Sequence, residues 1–350
     1  MTVLVTGAFG LVGSATVRQI AGEGRRVVAT DLDVPANRAA AETMSGVEVR
    51  YADLTDPAAI ERLVAEVKPT AIVHLAAIIA PFCYSRRALA RKVNVDGTAN
   101  LLAAAAKLAD RPRFVHASSI AVYGPRNPHT VTGVLRADTP TVPGDLYGSQ
   151  KLAAEELVRA SELDWAILRL GGVISVNLSL NQPEEMLYFE SVLPTDGRLQ
   201  TVDVRDVASA FSAATVRDGA VGKTLLIGGD DATHRQLQGE VAERVAGAMG
   251  MSGGFSAGRP GNPDSDVDWF ATDWMDTAEA QQILEFQQHS WPEMMAQIRA
   301  DTGAKRVLFK LAGPIARAVL SRRSAYHRWP GQYADPWTAI RARLGDPKPD

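Results

Sequence analysis

The sequence predicts an α/β protein built on a doubly wound parallel sheet with helices on both faces. Three observations carry this. Short β-branched runs alternate with Ala-rich helical stretches over the first two-thirds of the 350 residues. A glycine-patterned turn, Thr6-Gly7-Ala8-Phe9-Gly10-Leu11-Val12-Gly13, follows the first run and opens the first helix. An acidic residue, Asp31, closes the second run 18 positions after Gly13.

Strands fall at Val3–Thr6, Val27–Asp31, Val47–Tyr51, Ala71–Leu75, Arg113–Ser119 and Trp165–Leu170. Each is short and apolar, as a strand buried on both faces requires. Helices fall at Leu11–Ala21, Pro57–Val67, Ala88–Leu108 and Leu146–Ser161, the second with Asp56 as N-cap and Pro57 at its first position. Past Gly171 the rhythm changes. Residues 175–200 read as irregular, Thr201–Thr215 as a strand turning into a helix, and Lys223–Ile227 as a strand. Residues 250–266 read as a mobile loop, and Thr277–Leu284 and Pro292–Ala300 as helices. The expected organisation is a Rossmann-type dinucleotide-binding domain over 1–174, rejoined by 200–228. A smaller, C-terminal substrate-binding lobe over 175–300 and a helical extension over 301–350 follow.

Composition narrows the function classes. Hydrophobic residues make up 46% and charged residues 22%, with a formal net charge of −3. No global positive field exists to draw the chain to nucleic acid. The single cysteine, Cys83, can form neither an internal disulfide nor a thiolate metal cage and reads as a small buried hydrophobe. No metal site is expected. The first residues already read as a strand rather than a signal peptide, and no apolar run reaches the ~18 residues of a membrane span. The expected location is cytoplasmic.

The glycine turn has a chemical reading. Gly7 permits a tight turn, Gly10 lets backbone approach a pyrophosphate, and Gly13 permits close helix–strand packing. The helix N-terminus then presents free N–H groups and a positive dipole end to the phosphates. A carboxylate at Asp31 can accept hydrogen bonds from both adenosine ribose hydroxyls and would repel a 2′-phosphate, so the expected cofactor is NAD rather than NADP.

Tyr147-Gly148-Ser149-Gln150-Lys151 places a phenol and an ammonium on one helix face at i and i+4. A phenol titrates near ~10, and a neighbouring cation favours the phenolate that general base work needs. Ser118-Ser119, about 28 positions upstream, ends the fifth strand, where parallel sheets bind their ligands.

These residues, in this order, resemble the extended short-chain dehydrogenase/reductases, the NAD-dependent epimerase/dehydratase family. Further shared elements are Asp53-Leu54, His74-Leu75-Ala76-Ala77, Asn94-Val95-x-Gly97-Thr98-x-Asn100, Val122-Tyr123-Gly124, Val202-Asp203-Val204-x-Asp206-Val207-Ala208, and a last helix opened by Asp276. The match covers roughly residues 1–300. The resemblance implies Tyr147 as acid/base, Ser119 as the substrate-orienting hydroxyl, and Lys151 as the group that binds the nicotinamide ribose and lowers the Tyr147 pKa. It implies cofactor contacts from Gly7, Phe9, Gly10, Leu11, Gly13, Asp31, Asp53, Leu54, Ala76 and Ala77. Asn94 is expected to be structural. Tyr123 either packs against substrate or is core.

Two departures bear on the reaction. The slot where the family's dehydratases carry Asp-Glu is Ile120-Ala121. The Asn that many of its sugar-nucleotide epimerases carry after strand six is missing from Leu170-Gly171-Gly172-Val173. Pro81, Phe82, Tyr84, Met186, Tyr188 and Phe189 are the expected pocket, suited to a hydrophobic alcohol or ketone. The expected function is reversible NAD-dependent hydride transfer to or from such a small molecule. A sugar-nucleotide epimerase using transient oxidation and a non-catalytic dinucleotide sensor are the alternatives. A homodimer through the helices at Ala88–Leu108 and Leu146–Ser161 is expected from the family.

The last fifty residues lie beyond the resemblance. Seven cations and no acid fall between Thr302 and Ala334, within and after the stretch Lys305-Arg306-Val307-Leu308-Phe309-Lys310-Leu311. A basic amphipathic helix over 305–328 either lies on an anionic membrane surface or packs on the protein itself or a partner copy. Pro314 is expected to kink or split it.

Overall fold

Seven parallel strands form the central sheet in the order β3-β2-β1-β4-β5-β6-β9. They are β1 (Thr2–Thr6), β2 (Arg26–Asp31), β3 (Glu48–Tyr51), β4 (Ala71–His74), β5 (Arg113–Ser119), β6 (Trp165–Leu170) and β9 (Lys223–Ile227). The computed structural model describes residues 1–178, 183–251 and 258–350. Strand order reverses between β1 and β4, the switch point at which such sheets bind ligands beyond their carboxyl ends. Registers bring Thr6 beside both Thr30 and His74, and Ser119 beside Leu170, so the carboxyl ends share one edge.

Helices cover both faces. On one lie α1 (Leu11–Gly22) and α8 (Val204–Ala214), packed on Val3, Val5, Val115, Leu168 and Ile227. On the other lie α3 (Pro57–Val67), α5 (Gly97–Ala106) and α6 (Leu146–Ala160), packed on Leu4, Ile72, Phe114 and Ile167. Odd and even strand positions thus feed opposite cores, which is why these strands read as continuous apolar runs. Asp56 caps α3 by accepting from the Ala58 and Ala59 amides, a contact worth about 1 kcal/mol.

The expected long helix at Ala88–Leu108 is in three pieces: α4 (Arg87–Arg91), a π-helical turn over Lys92–Asp96, and α5. The wider turn frees Asn94 to bond the Ile78 backbone through both amide groups. Helix α2 (Pro35–Glu42), unmarked in the sequence reading, buries no residue.

The smaller lobe has a three-stranded sheet of β7 (Gly172–Ile174), β8 (Arg198–Asp203) and β10 (Arg235–Leu237), in the order β10-β8-β7. Helix α7 (Glu184–Val192) occupies the stretch expected to be irregular. Helices α9 (Gln238–Met249) and α11 (Trp291–Thr302) complete the lobe, while α10 (Ala278–Leu284) returns to pack on α8 and β9 of the central sheet. Of the expected mobile loop, 252–257 lies outside the described residues. The described remainder is irregular but tied down, with Asn127 donating to the Pro263 carbonyl and the Asp266 carboxylate.

The extension forms α12 (Lys305–Arg323), which runs through Pro314 without splitting, then α13 (Pro336–Arg343) and a terminal arm. The arm crosses the start of α4 and α6. Leu146 N–H donates to the Pro347 carbonyl, and Arg87 donates to the Asp346 and Lys348 carbonyls.

Candidate active site

Where β1 meets α1, the glycines have separate reasons. Gly7 has φ +65°, and a Cβ there would stand 2.6 Å from the Ala76 amide nitrogen. A Cβ on Gly13 would overlap the Gly7 carbonyl at 1.9 Å. Gly10 differs: a Cβ would meet only the Gly7 oxygen at 3.5 Å, ordinary contact, so nothing in the chain itself demands glycine there. Gly10 is exposed and precedes an α1 N-terminus that no side chain caps. Unshielded backbone and open helix amides are the donor set a pyrophosphate needs.

Asp31 borders this cradle, its carboxylate accepting from the Phe9 and Leu32 amides. The Phe9 ring lies 6.3 Å from that of Tyr51, an aromatic neighbour of the cradle that sequence reasoning missed. Asp53 is exposed and accepts from Thr55. Leu54 is buried under α5, and Ala76 follows β4 against Gly7, with Ala77 next to it. The residues present fit a dinucleotide.

Ser119 ends β5, and Tyr147 and Lys151 lie in the first turns of α6. Asp145 caps α6 by accepting from the Gly148 amide. The Ser119 hydroxyl accepts from the Ala121 amide and lies near enough to the Tyr147 phenol to favour its charged form. The Lys151 ammonium lies 5.8 Å from the Tyr147 ring centre and donates to the Ala117 carbonyl at 2.8 Å. Ser118 points away from this group and donates to Glu155, which leaves Ser119 as the hydroxyl facing Tyr147.

The electrostatics differ from the sequence expectation. Burial pushes the Tyr147 phenol above its ordinary value, Cys83 and Asp145 add to the shift, and the nearby Ser119 hydroxyl opposes it. Lys151, held at the Ala117 carbonyl, does not offset this. Burial also lowers Lys151 itself to about 8, against the pull of Glu155.

The expected pocket residues divide. Tyr84 is 1% exposed and its hydroxyl donates to Asp145 at 2.6 Å, so it is a buried strut and not a pocket wall. Tyr123 is core: its hydroxyl donates to the Arg136 carbonyl and accepts from Arg169. Phe189 is buried between Tyr84 and Phe270. Pro81 is buried after a cis peptide bond, while Phe82 is half-buried. Met186, Tyr188, Ile78 and Ala80 border the same cluster as Tyr147.

The extension, which sequence reasoning set apart from the site, supplies much of this cluster: Tyr326, Ala334, Ala339, Ile340 and Leu344, bordered by Trp329 and Trp337. Tyr188 donates to the Ala339 carbonyl, and Tyr326 to the Val192 carbonyl. Four aromatics between Tyr326 and Trp337 were the available signal, since so many rings in a short stretch demand a place to be buried.

A family model for the NAD-dependent epimerase/dehydratase family matches residues 3–228. Among curated proteins, the chain is similar to a dTDP-glucose 4,6-dehydratase of Neisseria gonorrhoeae, 30% identical over 257 residues, 65% of this chain and 72% of that one. It is also similar to a D-erythronate dehydrogenase of Cupriavidus necator, 30% identical over 49% of this chain and 54% of that one. A solved UDP-glucose 4-epimerase of Thermus thermophilus in complex with NAD superimposes with a TM-score of 0.68 at 23% identity, covering 87% of this chain and all of that one. The chain belongs to the NAD-dependent epimerase/dehydratase family, the extended short-chain dehydrogenase/reductases, and its cofactor is NAD.

Proposed function

We propose that the chain catalyses reversible hydride transfer at a secondary alcohol or ketone carbon of a small, largely apolar molecule. The observation that carries this is the meeting of Ser119, Tyr147 and Lys151 at the carboxyl edge of the sheet, beside an aromatic cluster built by α7 and the extension. NAD supplies the hydride acceptor for oxidation and, reduced, the donor for reduction. Gly7, Gly10, Leu11 and Gly13 hold its phosphates, Asp31 its adenosine ribose, and Asp53, Leu54, Ala76 and Ala77 its flanks. Ser119 holds the substrate oxygen. Tyr147 gives that oxygen a proton in reduction and takes it back in oxidation. The proton that burial keeps on the phenol suits the reductive direction. Lys151 binds the nicotinamide ribose. Met186, Tyr188 and Phe82 offer apolar surface, and the cation beside them, Arg343 at 4.6 Å from the Tyr188 ring centre, is paired with Glu184.

A sugar-nucleotide epimerase is the second reading, favoured by the names of relatives such as the UDP-glucose 4-epimerase of Mycolicibacterium smegmatis, 37% identical over 168 residues. An absorbance screen with NAD⁺ and NADP⁺ against sterols, terpenoid alcohols, aromatic alcohols and sugar nucleotides separates the two. Net growth of the reduced-nicotinamide band supports the dehydrogenase. Sugar inversion without that band supports the epimerase. A homodimer would use the stretch from the π-turn along α5 and the later turns of α6, because residues 346–350 cover the first turns. Light scattering tests it.

A further inference from the structure

Helix α12 packs one face on the protein and turns an apolar face outward. On the inner side, Phe309 joins the cluster of Met249, Met251, Trp291 and Met294, and Gly313 lies against Met251. On the outer side, Val307, Leu308 and Leu311 are 67%, 67% and 73% exposed. Pro314 and Ala318 are exposed as well. Positions 307, 308, 311, 314 and 318 follow helical spacing and form one stripe. A surface helix normally gives that side to polar residues.

The charges around the stripe are unbalanced. Lys305, Lys310, Arg322 and Arg328 are exposed, and none of them forms an ion pair among the described residues. No Asp or Glu occurs between Asp301 and Asp335, so the segment is uniformly cationic. A second copy docking the same face would bring the same cations together, which opposes self-association. Nucleic acid would satisfy the cations and leave the aliphatic stripe in water. An anionic phospholipid surface offers both, with phosphates at the depth of the cations and hydrocarbon beneath them.

We propose that the outer face of α12 docks on an anionic phospholipid surface. Val307, Leu308 and Leu311 enter between the headgroups, and Lys305, Lys310 and Arg322 meet the lipid phosphates. The helix lies along the surface: no helix among the described residues is long and apolar enough to cross a membrane.

The test is flotation of the full chain, loaded with NAD, with vesicles of phosphatidylcholine alone and of phosphatidylcholine mixed with phosphatidylglycerol. Leu308→Glu/Leu311→Glu is compared with Val216→Glu, an exposed apolar site at the end of α8. The expected result is flotation with the anionic vesicles only. It is lost in the double variant and in high salt, and kept in Val216→Glu, with NAD binding unchanged in all. Failure of the full chain to float with anionic vesicles would overturn the proposal. So would equal flotation of the double variant, or light scattering that shows a dimer broken by the double variant.

Discussion

Gln150 donates to the Asp350 carboxylate at 3.0 Å while its own side-chain oxygen accepts from Asn94. A line of amides therefore runs from the Ile78 backbone through Asn94 and Gln150 to the terminal arm, one turn of α6 from Tyr147. Arg87 holds the same carboxylate at 2.9 Å. Deleting residues 344–350 removes this anchor and the buried Leu344. The expected loss is about 2 kcal/mol of local packing, read as a raised KM for substrate with NAD affinity unchanged. Steady-state kinetics and NAD titration check it, and an unaltered KM would show that the arm does not shape the site.

Tyr147→Phe keeps the ring in its cluster and removes the transferable proton. Turnover should fall about 10²–10⁴-fold with NAD binding intact. Near-normal activity in this variant would remove Tyr147 from the mechanism.

Lys151→Met tests the cost of burying an ammonium. Below about pH 8 the folded and unfolded chains both hold the proton, and the penalty is fully present. Between about 8 and the unfolded value of 10.5 the unfolded state binds more protons, so wild-type stability rises with pH. Allowing for the lost bond to the Ala117 carbonyl, the variant should gain about 2 kcal/mol at neutral pH while losing activity. That gain should fade across the window. Urea denaturation at several pH values decides, and a pH-independent difference would refute the burial account.

Arg169→Met leaves the fully buried Glu155 without its main cation. Burial works to raise the Glu155 carboxyl, but bonds and charge from Arg169, with Ser118 and Arg159, hold it below the ordinary range. The pair therefore stabilises the fold above that range and loses its effect as the pH falls through the lowered value. The substitution should cost about 3–5 kcal/mol at neutral pH. It should cost less in acid, where a neutral Glu155 needs no cation. A flat dependence in denaturation experiments would count against this.

Asp31→Ala removes the carboxylate that favours a ribose over its 2′-phosphate. The ratio of kcat/KM for NAD over NADP should drop about tenfold or more, on the order of 1.4 kcal/mol. An unchanged ratio would place cofactor choice elsewhere.

The central sheet was legible because its signals are local. Asp56 and Pro57 announce α3, and apolar runs bounded by turns announce β5 and β6, which occur at the expected limits. The Ser119–Tyr147–Lys151 group was legible because strand ends and helix spacing place side chains by rule. Tyr84 was not. It reads as a pocket aromatic until Gly345, whose Cβ would stand 2.5 Å from the Tyr84 carbonyl carbon, closes over it. Contacts across more than 250 positions leave no periodicity. The π-turn at Lys92–Asp96 was hidden because one wider turn barely disturbs an Ala-rich pattern.

The wall beside Tyr147 has a consequence for the order of synthesis. Once residue 227 has emerged from the ribosome, every strand of the seven-stranded sheet exists. Tyr326, Ile340 and Leu344 follow only after about a hundred more additions, several seconds or longer at the usual ~5–20 residues per second. During that interval the nascent chain can form its dinucleotide cradle while Tyr84, Leu146 and Phe189 lack their cover. Early binding of NAD would steady the half already made, and chaperones would meet the apolar gap left by the half still to come.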